Sequence, residues 1–337
     1  MIGDEDDAIR DAFSDVDDRA LQFRLACQRL REAQQRFTMA LDAFMETTEQ
    51  CWQVLSINAE QATREDAPGV RSGLPPPLRI GCFGRFQVHK SNQLVAPCQN
   101  RNGQTILRYL AAQPRHREHG DVLMDVLWPD DPPEVARHKL HCAISALRVS
   151  LNGRSFSRKR EGYVVHEEGT YGLGHPTRLE IDADMLLAGY TAGQRAGGKA
   201  AITHYEAACR LYSGPFLPED LYAEWSQIRR QQVTQAYLSM CGAVTEHLQT
   251  TCKWDAAADW ALRILEENHC DESAYRQLMR AYACQGKRSE AIRQFRRCEH
   301  VLEDELGVRP MQDTRALFDC IVRGETLPVS GNQVSFT

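Results

Sequence analysis

The sequence predicts a mainly α-helical protein with a small α+β part. Three observations lead to this fold class: a Pro-free N-terminal stretch with helical apolar spacing, a central stretch of short strands and amphipathic helices, and a C-terminal stretch with a helical repeat. The triplet Pro75–Pro77 separates the first two stretches, because a helix cannot cross consecutive prolines. We expect five parts: a helical segment 1–66, a Pro/Gly linker 67–77, a domain 78–175, a domain 180–325 and a flexible tail 326–337.

The first part has the apolar spacing of a coiled coil. Steps of four and three residues place apolar side chains at twelve of fourteen successive seam positions, and Gln34 and Thr48 interrupt the seam. Leu21 and Trp52 lie off the seam, so a helical hairpin or a bundle with another subunit stays open. We favour homo-oligomerisation; packing on a different protein or within the chain are the alternatives. The predicted seam includes Ile9, Phe13, Val16, Phe23, Leu30, Phe37, Leu41 and Phe44.

The order of strands, helices and a basic hairpin in the central part predicts a winged helix-turn-helix. Short alternating strands and a helix from about Asn102 to Ala112 come first. A short helix then ends at Trp128, a second helix runs from Pro133 to Arg148, and a basic hairpin is expected over Ser157–Tyr163, turning at Arg160–Gly162. In this motif the second helix enters the major groove of DNA.

The charge distribution supports DNA as the partner. The whole chain carries a net charge of −6. Residues 1–77 contain 8 Lys/Arg and 15 Asp/Glu, residues 78–174 contain 14 and 9, and residues 175–337 contain 18 and 22. Only the central part is positive, as phosphate neutralisation requires.

The candidate DNA-binding residues are polar or basic side chains of the second helix and the hairpin. Arg and Lys suit phosphates, whereas His and Ser suit base edges or the DNA backbone. Three adjacent charges at the hairpin repel one another unless an anion is close. The set comprises Arg137, His138, Lys139, His141, Ser145, Arg148, Arg158, Lys159 and Arg160.

The domain 180–325 predicts tetratricopeptide-like helical repeats. Trp254-Asp-Ala-Ala257 and Arg288-Ser-Glu-Ala291 begin helices 34 residues apart, each after a polar turn. This helix–turn–helix period is typical of repeats that stack into a superhelix.

On these residues the chain resembles the SARP-type bacterial regulators, which combine an OmpR-like winged helix with a bacterial transcriptional activator domain. The resemblance covers about 78–325 and rests most on Leu211-Tyr-Ser-Gly-Pro-Phe-Leu217 and Glu305-Leu-Gly-Val-Arg-Pro310, with Gly162-Tyr163 and Ile181-Asp-Ala-Asp184 in support. The helical segment 1–66 is not part of the usual small family member.

The resemblance implies a transcriptional activator that binds double-stranded promoter DNA and contacts RNA polymerase. It also implies that the loop with Trp128, Asp130 and Asp131 faces the polymerase; by sequence alone this loop caps the second helix. The effector, if there is one, is unknown.

Other kinds of site find little support. His138, His141 and Cys142 share a helix face but have no evident fourth metal ligand. Gly193–Ala200 approaches a phosphate loop but lacks its Ser/Thr. No nucleophile or acid–base motif occurs, so we expect neither an enzyme nor a cofactor or metal.

The twelve cysteines are scattered, and most are expected to be reduced and buried. No apolar run is long enough to span a membrane, which predicts a cytoplasmic protein without a membrane partner. The alternative to a DNA-binding activator is a helical-repeat scaffold or signal sensor whose basic module binds an acidic protein.

Overall fold

A computed structural model describes residues 77–152, 162–174 and 178–325, together with the backbone of 327–329 and 332–334. These residues all belong to one unit of the chain, Arg71–Thr337. The predicted oligomerisation segment 1–66 and the basic residues Arg158, Lys159 and Arg160 lie outside the described residues.

Helices dominate the described part of the chain, which confirms the mainly α fold class with a small β part. The helices are α1 Arg101–Ala112, α2 Gly120–Leu127, α3 Pro133–Asn152, α4 Asp182–Ala196, α5 Gly198–Cys209, α6 Glu224–Thr250, α7 Trp254–Glu267, α8 Glu272–Cys284, α9 Arg288–Leu306 and α10 Gln312–Arg323. The strands are β1 Leu78–Gly81, β2 Gln87–Lys90, β3 Gln93–Leu94, β4 Arg117–His119, β5 Val164–Glu167, β6 Thr170–Leu173, β7 Leu179–Ile181, β8 Leu327–Val329 and β9 Asn332–Val334. None of the described helices is long and apolar enough to cross a membrane.

The first three helices pack together at close-fitting contacts. Asn100 caps α1, its Oδ1 accepting a hydrogen bond of 3.0 Å from the Gly103 N–H. Gly103 is buried where α1 meets α3, and a Cβ there would lie 3.1 Å from the Ala143 carbonyl oxygen. A larger residue would therefore push the two helices apart.

A three-stranded sheet lies beside these helices, and two of its strands follow the predicted basic hairpin in the chain. Strands β5 and β6 pair antiparallel, and β4 joins the outer edge of β6. The turn between β5 and β6 lies at Glu168 and Gly169, both with positive φ. Arg160 and Glu161 of the predicted turn lie outside the described residues. The Glu-Gly pair suits the left-handed conformation that a two-residue hairpin turn needs.

The C-terminal helices pack in chain order, each against the next, from α4 to α10. Helices α7 and α9 begin 34 residues apart in the sequence, at Trp254 and Arg288, and Ala257 and Ala291 are buried at the same position of each helix. The following helices α8 and α10 begin at Glu272 and Gln312, a longer interval, mainly because α9 has 19 residues and α7 has 14.

The end of the chain also departs from the prediction. A flexible tail was expected over 326–337, but β8 and β9 pair antiparallel, with Leu327 opposite Val334. Valines at both ends of this pairing favour the extended backbone.

One sheet joins the two predicted domains. Strand β1 pairs antiparallel with β2 and parallel with β7, so that Ile80 lies opposite both Val88 and Ile181. Strand β7 leads directly into α4. The start of the domain 180–325 is therefore hydrogen-bonded into the first strand of the domain 78–175.

Asp182 closes the end of this sheet. Its carboxylate accepts backbone hydrogen bonds from Cys82 at 2.8 Å, Phe83 at 3.1 Å and Ala183 at 2.7 Å. Burial raises the pKa of Asp182, and the three N–H donors oppose that rise by stabilising the charged form.

We expect Asp182→Ala to lower the free energy of unfolding by about 1–3 kcal/mol, because two N–H groups at the end of β1 lose their acceptor. Urea unfolding followed by circular dichroism measures the change. Asp259→Ala, an exposed position of α7, is the matched control and should change stability by less than about 0.5 kcal/mol. Equal effects of the two substitutions would contradict this role of Asp182.

Candidate nucleic-acid interface

Helix α3 has one buried and one exposed face. It begins at Pro133, whose missing N–H costs nothing in the first turn, and the Pro132 carbonyl accepts from Val135 and Ala136. The buried stripe at three- and four-residue spacing consists of Ala136, Leu140, Ala143, Ile144, Leu147 and Leu151. This stripe packs against α1 and α2 and fixes the rotation of α3 about its axis.

Four of the predicted DNA-binding residues lie together on the exposed face. Arg137, His138, His141 and Ser145 are all exposed and occupy successive turns of α3. Cys142 is exposed beside them, with its Sγ 3.5 Å from His138 Nε2. These five residues are called the α3 face below.

Lys139 does not belong to the α3 face. At two positions beyond Arg137 it is rotated about 200° around the helix axis. It is half-buried, and its Nζ donates to the Asp131 carboxylate. This pair holds the loop before α3 against the helix, so the structure gives Lys139 a local structural contact.

Arg148 lies on the same side of α3 as Arg137 but is half-buried. Its Nε–H donates to the Val164 carbonyl at 3.2 Å. One turn further along, Asn152 Oδ1 accepts from the Tyr163 N–H at 3.1 Å. Arg148 and Asn152 therefore attach the end of α3 to the strand that follows the basic segment 158–160.

The three residues of the loop before α3 have different surroundings. Trp128 is half-buried and packs against the core, and Asp131 pairs with Lys139. Asp130 is exposed at the turn between them. Of these three residues, only Asp130 is exposed.

The sequence analysis missed the contacts that join this unit to the C-terminal helices. Arg108 of α1 forms an ion pair with Asp220, in which both side chains are nearly buried. The Tyr109 and Trp225 rings lie 5.3 Å apart beside this ion pair. Arg108 and Asp220 are 112 positions apart, and no local pattern in the sequence pairs them.

A second ion cluster lies at the same junction. Arg229 of α6 is buried and pairs with the Asp184 carboxylate, whose other oxygen lies 2.8 Å from His116 Nε2. His116 precedes β4, so the cluster ties that strand to α4 and α6.

The motif Leu211–Leu217 carries much of the junction. The Leu217 N–H donates to the Cys82 carbonyl at 2.8 Å, and the Gly84 N–H donates to the Pro215 carbonyl at 3.0 Å. Phe216 is fully buried against Phe83. This motif, which in the sequence supported only the family resemblance, therefore holds the turn after β1 in place through two backbone hydrogen bonds and an aromatic contact.

Comparison with known proteins identifies the C-terminal helices. Residues 181–322 match the bacterial transcriptional activator domain. This domain and the relatives below make the chain similar to the SARP-type bacterial transcriptional regulators. It is 28% identical over 207 residues to the transcriptional regulatory protein MoaR1 of Mycobacterium tuberculosis, a match that covers 60% of this chain and 66% of MoaR1.

A second relative matches a longer part of this chain. The transcriptional regulatory protein EmbR of M. tuberculosis is 28% identical over 263 residues, which covers 74% of this chain and 64% of EmbR. The chain thus spans slightly less than two thirds of the length of these two relatives. A solved structure of M. tuberculosis EmbR in complex with a low-affinity phosphopeptide has the same fold, with a TM-score of 0.61 and 24% identity over 75% of this chain and 67% of that one.

We expect Arg148→Ala to lower the free energy of unfolding of the chain by about 1 kcal/mol, because the hydrogen bond to Val164 is lost. Arg137→Ala changes the same residue type on the same helix at an exposed position and should leave stability within about 0.5 kcal/mol. Thermal or urea unfolding compares the two variants. If Arg137→Ala proved the more destabilising, the division of α3 into these two faces would be wrong.

Proposed function

We propose that the chain is a sequence-specific, DNA-binding transcriptional activator that binds promoter DNA through a winged helix and recruits RNA polymerase. The observation that carries the proposal is the α3 face: cationic and polar side chains that the fold does not need for its own packing. Residues 78–175 would form the winged helix and residues 180–325 the activator domain with tetratricopeptide-like repeats.

The shape of α3 supports entry into a groove. Its 20 residues span about 30 Å. The major groove is about 12 Å wide and admits one α-helix. With Leu140, Ile144 and Leu147 buried, the polar side chains are the ones that would face the base edges.

The individual roles follow from the surroundings of each side chain. Arg137 can reach a phosphate or a guanine, and His141 and Ser145 can donate to or accept from base edges. Arg158, Lys159 and Arg160 would add phosphate contacts from the segment that Arg148 and Asn152 hold beside α3. Lys139 would affect DNA binding only indirectly, because its ion pair with Asp131 holds the loop before α3 in place.

Two further parts of the proposal concern partners. The predicted seam in residues 1–66 would give a homo-oligomer, which lets two DNA-binding units occupy one promoter. Asp130, with Trp128 and Asp131 beneath it, would contact RNA polymerase from the loop before α3. The names of the relatives support a regulator of transcription.

Arg137→Ala is expected to weaken DNA binding about tenfold, the effect of losing one good contact of about 1–3 kcal/mol. Changing Arg158, Lys159 and Arg160 together to Ala should reduce the slope of log affinity against log salt by up to about 3. The measurement is fluorescence anisotropy of the full chain with a duplex selected from a random library. Arg296→Ala, an exposed arginine of α9, is the control and should leave affinity unchanged.

Two results would count against this interface. Affinity that does not change with salt would favour the alternative function, a repeat scaffold that binds an acidic protein. Equal losses of DNA affinity in Arg137→Ala and Arg296→Ala would show that the α3 face does not select the DNA.

Asp130→Ala should preserve DNA affinity and lower transcript yield about fivefold, the effect of losing roughly 1 kcal/mol of protein–protein contact. In vitro transcription with bacterial RNA polymerase, on a template that carries the selected site, measures the yield. Asp259→Ala controls for the loss of one surface carboxylate. If Asp130→Ala reduced DNA affinity by the same factor as transcript yield, the loop would belong to the DNA contact and not to a polymerase contact.

A further inference from the structure

Three potential metal ligands of different chemistry converge far along the chain from the α3 face. His269 Nε2 lies 2.6 Å from Glu305 Oε2, and Cys270 Sγ lies 3.4 Å from the same oxygen. The three ligand atoms all lie within 4.8 Å of one another. His269, Cys270 and Glu305 are called the 269/270/305 cluster below.

The backbone around the cluster is held on both sides. His269 and Cys270 form the turn between α7 and α8, where the Asp271 N–H donates to the Asn268 carbonyl at 3.1 Å and Asp271 Oδ1 caps α8 by accepting from the Ala274 N–H at 2.9 Å. Glu305 lies in the last turn of α9, which ends at Gly307 in the left-handed conformation. Ligands placed by helix ends and a short capped turn keep their relative positions.

We propose that the 269/270/305 cluster binds a divalent transition-metal ion of the zinc class. Imidazole nitrogen, thiolate sulfur and carboxylate oxygen are the ligands that Zn²⁺ takes in proteins. Hard ions such as Mg²⁺ and Ca²⁺ prefer oxygen ligands alone, so the thiol and imidazole select against them.

The ligand atoms, all within 4.8 Å of one another, can reach tetrahedral spacing by rotation of their side chains. Bonds of about 2.0–2.3 Å at tetrahedral angles put neighbouring ligand atoms about 3.4 Å apart. The Sγ–Oε2 separation is already 3.4 Å. The Nε2–Oε2 separation must open by about 0.8 Å from its hydrogen-bonded value, which side-chain rotation allows because His269 and Glu305 are both about half exposed. Water would take the fourth position.

Metal binding replaces the hydrogen bonds that the cluster makes without metal. Without metal, the Cys270 S–H donates to the Glu305 carboxylate at 3.4 Å. On binding, this proton leaves to water and Sγ⁻ joins the ion. The Nε2–H of His269, which donates to Glu305 without metal, likewise releases its proton to water or to Nδ1, so that Nε2 and Oε2 of Glu305 provide the other two bonds.

Other surface histidines of the described chain show what sets the cluster apart. His300 and Asp304 pair at 3.2 Å along α9, and His138 and Cys142 approach to 3.5 Å along α3. Each of these is a pair, whereas the 269/270/305 cluster is the only group of three such ligand atoms found among the described residues. The cluster also joins two separate elements, the α7–α8 turn and the end of α9.

An ion bound at this location would restrain the end of α9. A surface cavity of about 410 Å³ lies beside the cluster, lined by Cys270 and by residues of α8, α9 and the segment after α9, among them Arg276, Leu302, Leu306 and Met311. A metal bond from Glu305 to the α7–α8 turn would fix the end of α9 at the edge of this cavity.

Titration of the untagged, reduced full chain with Co²⁺ tests the proposal. Co²⁺ bound to thiolate gives a near-ultraviolet charge-transfer band and visible bands of tetrahedral geometry. We expect one equivalent to bind, Zn²⁺ to displace it, and Cys270→Ala to remove the charge-transfer band. Cys142→Ala removes the other exposed thiol that has a histidine neighbour and should leave the band unchanged.

Glu305→Gln and His269→Ala report on the other two ligands. Loss of an outer partner of a metal ligand typically weakens binding about 10- to 100-fold, so loss of a ligand itself should weaken Zn²⁺ binding by about 100-fold or more. Zn²⁺ should also raise the melting temperature of the unaltered chain more than that of Glu305→Gln, because a ligand that binds only the folded state stabilises it.

The proposal is overturned if no charge-transfer band forms with excess Co²⁺, if the band survives in Cys270→Ala, or if Cys142→Ala abolishes it. Circular dichroism of each variant separates these results from loss of folding. None of these measurements uses DNA, so the outcome is independent of the proposed activator function.

Discussion

The carboxylate of Asp182 is the contact on which the arrangement of the two domains depends. Strand β7 pairs in parallel with β1, which brings Asp182, the next residue, to the end of β1 and beside the N–H groups of Cys82 and Phe83. The segment ending at Phe216 and Leu217 closes over the same turn from the other side. A buried carboxylate with three backbone donors is favourable in this one geometry, because any displacement leaves the charge or the donors unpaired.

This junction determines how the α3 face is presented. Helix α3 packs on α1, and α1 is fixed to the C-terminal helices through the Arg108–Asp220 ion pair and the Tyr109–Trp225 contact. The helices of the activator domain therefore act as a support for α3 and not as a separate body on a linker. A partner that binds the C-terminal helices and distorts this junction would therefore alter the position of α3.

The sequence predicted what short-range patterns encode and missed what depends on distant residues. Apolar spacing correctly placed α3 and its buried stripe, since Leu140, Ile144 and Leu147 repeat at helical intervals. It did not predict the β1–β7 pairing, because three-residue strands have too few side chains to show a period. Lys139 and Arg148 were grouped with Arg137 by charge, although their contacts with Asp131 and Val164 depend on segments that the helical pattern does not include.

The most direct test of the account uses two cysteines of the chain itself. Cys142 lies on the α3 face and Cys252 lies in the turn before α7, and both are exposed. Their alkylation rates by N-ethylmaleimide can be followed by mass spectrometry, with and without a saturating amount of the selected DNA duplex. If α3 enters the major groove, DNA should slow alkylation of Cys142 and leave Cys252 unchanged. Bound DNA that leaves Cys142 as reactive as before, or that protects Cys252 equally, would contradict the central claim that the α3 face reads DNA.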